Sequence, residues 1–118
     1  MSLHWYQEAI KEFALYPGAN QGGFEEVNYL TLGLTSEAGE VAGKWKKLIR
    51  DGKFNEDAFL SEIGDVMWYL TMLCSSAGIS IEELAERNYK KLSERLQTNT
   101  IKGEGDDREK QTLVIANA

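Results

Sequence analysis

Histidine, cysteine and proline each occur once in these 118 residues, as His4, Cys74 and Pro17. A lone cysteine excludes an internal disulfide, and Cys74, set in an apolar run, reads as a small buried hydrophobe. One histidine excludes a site built from several imidazoles, and His4 reads as a surface helix residue. A single proline and sparse β-branched residues leave long stretches free to be helical. Basic charge is in deficit: 13 Lys and Arg stand against 19 Asp and Glu, a formal net charge of −6. Non-specific nucleic-acid binding needs a basic face that displaces counterions, so no nucleic-acid partner is expected. A nucleotide remains open, because a metal brings phosphate-binding charge with it. The longest uncharged run, Val66 to Ile81, contains Ser75, Ser76, Gly78 and Ser80. It is too short and too polar to span a bilayer, so no membrane partner is expected. The opening Met1-Ser2-Leu3-His4-Trp5 has no basic region followed by an apolar core. No signal peptide is visible, and a reducing cytoplasm is the expected compartment.

What is present is helix-forming. The length suits one all-α domain over residues 1–98, with residues 99–118 as a C-terminal loop or tail. A first helix is expected from about Ser2 to Tyr16, with Leu3, Tyr6, Ile10, Phe13 and Ala14 as its apolar stripe. Pro17 and the glycines that follow it make a loop. A second helix is expected from Phe24 or Glu25 to Arg50, with Glu25 and Glu26 at its positive end and Asp51-Gly52 as its stop. Val27, Leu34, Val41 and Leu48 recur every seven residues along it, and Leu30 begins a second row. A third helix starts after Asn55, a good N-cap, with Phe59, Ile63, Val66, Leu70, Leu73 and Ala77 as its main stripe. Its segment from Val66 to Cys74 carries no charge on any side, which predicts burial all round and, in so small a chain, a subunit interface. Ser80 and Glu83 form a capping box that opens a fourth helix running to about Leu96. Beyond Gln97 the character changes, and Thr112 to Ile115 reads either as a short strand or as an ordered tail.

Two segments stand out against this pattern. Glu37-Ala38-Gly39-Glu40 and Glu62-Ile63-Gly64-Asp65 each place two acids three residues apart, on one helical face. Glu37 is the next member of the row that Leu30 begins, so an acid occupies a position where the pattern calls for a core residue. Each segment also holds an interior glycine, which costs roughly 1 kcal/mol relative to alanine in a helix. Gly39 and Gly64 therefore point to the close approach of a backbone or a ligand. A lone pair of this kind is usually a solvated helix surface. Two copies on consecutive helices, one intruding on a core row, point instead to four carboxylates around a cation. With no histidine or cysteine nearby, the ligands are all hard oxygens, which favours Mg²⁺, with Mn²⁺ as the alternative, over zinc or copper. A magnesium ion held this way keeps positions open for water and substrate phosphates, and phosphoanhydride cleavage is the natural chemistry.

The same residues resemble the MazG-like nucleoside triphosphate pyrophosphohydrolases of the all-α NTP pyrophosphatase superfamily. The resemblance rests on Glu37-Ala38-Gly39-Glu40-Val41-Ala42, on Glu62-Ile63-Gly64-Asp65-Val66-Met67-Trp68-Tyr69-Leu70, and on Asn88-Tyr89-Lys90-Lys91-Leu92, and covers residues 25 to 96. It implies a four-helix bundle-like fold assembled as a homodimer or homotetramer. It also implies hydrolysis of a (d)NTP to monophosphate and pyrophosphate with Mg²⁺ held by Glu37, Glu40, Glu62 and Asp65. Asn88 and Lys91 match residues that the family places near the nucleotide. Gly105-Asp106-Asp107-Arg108 is similar to a C-terminal pattern of some members.

Other residues carry two readings each. Lys44 and Lys47 follow Glu40 on its own face and either hold phosphate oxygens or pair with glutamates and the helix C-terminus. Lys91 and Arg95 form a second such pair. Trp45, Trp5 and Tyr6 are candidates for stacking a nucleobase, or else core or interface aromatics. The competing reading of the whole chain is a non-enzymatic helical module that dimerises through Val66 to Cys74 and uses the carboxylates as a structural cation site.

Overall fold

The computed structural model describes residues 1–98, so the patterns expected at Gly105–Arg108 and Thr112–Ile115 lie outside the described residues. Among those described the protein is all-α. It consists of α1 (Leu3–Ala9), a 3₁₀ turn (Ile10–Phe13), α2 (Phe24–Asp51), α3 (Glu56–Ser76) and α4 (Ile81–Gln97). Residues 1–81 form one compact unit, and the described residues from 82 to 98 belong to another.

The first unit is built on α2 packed against α3. Asn55 caps α3, its side-chain oxygen accepting the Ala58 N–H at 3.0 Å. Gly52 closes α2 in the left-handed conformation (φ 70°), which a glycine adopts without a Cβ clash. Only residues 52–55 separate the two helices, so they must run antiparallel. Contacts confirm it: Glu26 meets Ser76, Tyr69 lies against Gly33, Lys44 approaches Glu62, and Trp45 packs on Phe59. Ile10, Ala14, Leu30 and Met72 form the buried core, with Tyr6, Tyr16, Trp68, Tyr69 and Leu73 packed around it. Gln7 ties α1 to the end of α3. Its amide nitrogen donates to Ser75 Oγ and the Ile79 carbonyl, and its oxygen accepts the Ile81 N–H.

The structure bears on three sequence expectations. The first helix does not run to Tyr16: regular α-structure ends at Ala9 and a 3₁₀ turn follows. The Ala14 N–H bonds to the Lys11 carbonyl, which leaves the Ile10 carbonyl to accept the Trp68 indole N–H at 3.4 Å. Pro17 also disfavours helical backbone at Tyr16, the residue before it. Secondly, the chain's own helices leave part of α3 uncovered, on the side for which a subunit interface was expected. Thr71, Met72 and Cys74 are buried, but Leu60, Ile63, Met67 and Leu70 are 52%, 42%, 36% and 36% exposed and form one apolar row. The Ile63 and Leu70 members of that stripe therefore face outward in the single chain, while Phe59 packs on Trp45 and Trp68, Tyr69 and Leu73 pack around the core. Thirdly, no other backbone of this chain comes close at Gly39 or Gly64, where a Cβ would meet open space. The close approach occurs at Gly33, where an added Cβ would lie 2.0 Å from the Tyr69 ring.

That contrast predicts opposite effects of one substitution. Gly33→Ala forces the Tyr69 ring aside, and overpacking of this kind costs about 1–3 kcal/mol. Gly39→Ala meets nothing and gains up to about 1 kcal/mol of helix propensity. Thermal melts should show the first variant below and the second above the wild type.

Candidate metal centre and aromatic cleft

The register set at Gly33 and Tyr69 determines which side chains meet further along. One turn forward on α2 lies Glu37, and one turn back on α3 lies Asp65. Glu37, Glu62 and Asp65 each offer a carboxylate oxygen, and these atoms all lie within 4.8 Å of one another. Glu37 and Glu62 are half-buried and Asp65 is exposed. Glu40 stands one turn beyond Glu37, exposed and outside this group, but near enough for its charge to act on Glu37. The Lys44 ammonium lies 4.0 Å from a Glu62 oxygen and partly offsets the negative charge.

The three acids repel one another. Burial, then the charges of Asp65 and Glu62 and a hydrogen bond shared with Glu62, push the Glu37 carboxyl above its ordinary range. Such a group stays uncomfortable in its charged form unless a cation joins it. The donor set fits a hard divalent ion: carboxylate oxygens only, converging from two helices, with one side open.

Beside the acids lies a cleft of about 490 Å³, lined by Phe13, Leu15, Tyr16, Tyr29, Trp68 and Tyr69 together with Glu37 and Asp65. Its wall is ordered by ring packing. Tyr16 stacks on Tyr29 with centroids 4.3 Å apart, and Trp68 meets both Tyr16 and Tyr69 edge to face. Burial, the bond to Glu26 and the charge of Glu26 push the Tyr16 phenol far above its ordinary range. Burial and a hydrogen bond with Tyr29 raise that of Tyr69.

The aromatic residues singled out in the sequence lie elsewhere. Trp45, 49% exposed, packs on Phe54 and Phe59, and neither Trp5 nor Tyr6 lines the cleft. The actual wall was detectable by spacing: Trp68 and Tyr69 follow Asp65 by three and four residues, one turn along the same face. Lys47 joins Lys44 and Lys53 around a second cavity of about 330 Å³ where α2 ends and α3 begins. Asn88, Lys91 and Arg95 succeed one another along one face of α4 at spacings of three and four residues.

Residues 25–99 match the model of the MazG nucleotide pyrophosphohydrolase domain, and the chain belongs to that family. The family implies a hydrolase that acts on nucleotides. Among curated proteins the chain is similar to the Gene 37 protein of Mycobacterium phage L5. The two are 39% identical over 114 residues, covering 92% of this chain and 100% of the relative. No solved structure matches it. No helix among the described residues is long and apolar enough to cross a membrane.

The raised Glu37 carboxyl has a stability consequence. Its contribution is intact below the ordinary glutamate value of 4.5 and is lost as pH rises through the higher folded value. Glu37→Gln, which cannot ionise, escapes that loss. In a chelator, melting temperatures of variant and wild type should be close at pH 4. By pH 7 the variant should melt higher than the wild type. A gap that is widest at pH 4 contradicts the repulsion.

Proposed function

We propose that this protein hydrolyses nucleoside triphosphates, (d)NTPs, to the monophosphate and pyrophosphate, using Mg²⁺ (or Mn²⁺) held by Glu37, Glu62 and Asp65 with Glu40 at the next turn. The observation that carries this reading is the convergence of three carboxylates beside an aromatic cleft in a chain of this family. A divalent cation bound there supplies positive charge to the phosphate oxygens and a Lewis acid for the attacking water. The protein's own groups do the rest. The rings of Tyr16, Tyr29, Trp68 and Tyr69 seat the base, because a flat π-face suits any nucleobase. Lys44 and Lys47 hold phosphate oxygens on the far side of the acids. Asn88 and Lys91 are assigned to the substrate by their match to the family pattern, and Arg95 by its place one turn from Lys91 on the same helix face. A carboxylate not fully engaged with metal accepts the proton of the water that attacks phosphorus at the α–β bridge. The bridging bond then breaks, and pyrophosphate carries off the electron pair.

Product analysis by ³¹P NMR tests the reaction. Pyrophosphate and monophosphate are expected in equal amounts, and single orthophosphate would rule the reading out. Asp65→Asn should lower kcat on the order of 10²-fold or more while leaving the helical circular dichroism intact, since the metal's charge stabilisation amounts to several kcal/mol.

The same reading includes assembly as a homodimer or homotetramer. The exposed row of Leu60, Ile63, Met67 and Leu70 supports it, being a continuous apolar face on a helix that elsewhere packs inward. Met67→Asp places a charge at the middle of that row. Light scattering should find the wild type at a multiple of the chain mass and the variant shifted to a lower one. A wild type of single-chain mass at all concentrations would refute the assembly.

A further inference from the structure

We infer that Glu26 is a positioning residue for the base site: its carboxylate fixes the Tyr16 hydroxyl and so aligns the ring wall of the cleft. This rests on the proposed seating of the base in that cleft.

Glu26 is only 2% exposed, yet no cation stands among its hydrogen-bond partners. A buried carboxylate is costly unless its oxygens are satisfied. Here one oxygen accepts the Tyr16 hydroxyl at 2.6 Å and the Asn20 N–H, and the other accepts the Gly22 N–H at 2.9 Å and Ser76 Oγ at 2.8 Å. Burial pushes its carboxyl upward, but these four donors outweigh it and leave the group below its ordinary range. The loop bends to supply them. Gly18, Asn20 and Gly22 all take positive φ (80°, 61° and 68°), in a loop whose Asn20 and Gly22 N–H groups meet one anion while the Gln21 N–H between them bonds the Gly18 carbonyl.

Three of the four donors lie between Tyr16 and Gly22, and the fourth is on the last residue of α3. The carboxylate thus clamps the loop to the helix pair. Of these donors only Tyr16 reaches the cleft, where its ring stacks on Tyr29 and meets Trp68 edge-on. Its hydroxyl is committed to Glu26, so the wall offers the ligand a ring face at this point rather than a hydrogen-bond donor. Glu26 touches neither the acids nor the cleft. It acts through Tyr16 alone.

The test compares Glu26→Gln, Tyr16→Phe and the double variant with the wild type. Three quantities are read: KM and kcat for ATP with Mg²⁺, the Kd of its α,β-imido analogue by calorimetry, and the inhibition constant of inorganic tripolyphosphate. Each single variant should raise KM and Kd about five- to tenfold, the scale of a weakened base stack, with kcat within about twofold. Tripolyphosphate, which has no base, should inhibit all four proteins equally. The double variant should be no weaker than either single one, since both act on the ligand through the bond between Glu26 and Tyr16. Parallel weakening of tripolyphosphate would mean that Glu26 merely supports the fold, and would overturn the assignment. If Glu26→Gln does not fold, Tyr16→Phe decides, because it removes only the hydroxyl: unchanged analogue affinity overturns the assignment. A wild type that turns over ATP while both variants keep its KM and Kd sinks the role of Glu26 alone. A wild type that neither hydrolyses nor binds any nucleotide sinks the proposed activity and this assignment with it.

Discussion

The site depends on how closely α2 and α3 approach at one point. Gly33 offers no Cβ, and the Tyr69 ring lies in the space that one would occupy. Two antiparallel helices that touch there are fixed in both separation and register. Glu37 is then set against Asp65 one turn away, and Glu26 against Ser76 two turns the other way. A larger residue at position 33 would wedge the helices apart and loosen the carboxylates and the ring wall together. The glycine's cost in helix propensity is small beside the definition it gives to both ends of the pair.

Along one helix face, Glu26 and Glu37 show two fates for a carboxylate that leaves the solvent. Glu26 is surrounded by neutral donors, needs nothing more, and its carboxyl is held low. Glu37 is surrounded by other acids, and its carboxyl is pushed high. The first environment is complete and belongs to the scaffold. The second is unfinished, because Lys44 offsets only part of the charge at 4.0 Å. A carboxylate in an unfinished environment is where a ligand of opposite sign belongs.

Much of this was legible in the sequence. The helices α2, α3 and α4 start and stop within a residue or two of their signals at Gly52, Asn55 and Ser80. The core row that begins at Leu30 does continue into Glu37, and the conflict between row and residue located the acids. Less legible was what depends on pairing between distant segments. Nothing local distinguishes Gly33 from Gly39 or Gly64, because the difference is the Tyr69 ring of another helix. The 3₁₀ turn after Ala9 leaves the Ile10 carbonyl to the Trp68 indole, again a contact across the fold. Glu26 looked like an ordinary acid at a helix start, although it stands four residues before Leu30 on the inward row. The reasoning applied to Glu37 would have found it.

The clamp on the loop also bears on how this chain tolerates change in length. The two oxygens of Glu26 collect N–H groups at Asn20 and Gly22, with one residue between them, from a segment anchored at Tyr16. An insertion or deletion between Tyr16 and Gly23 would misalign all of them at once. Surface loops are usually where sequences drift most freely in length. This one is held to a fixed count by a single carboxylate beneath it, and a homologue that departs from that count would have to give up the acid at this position as well.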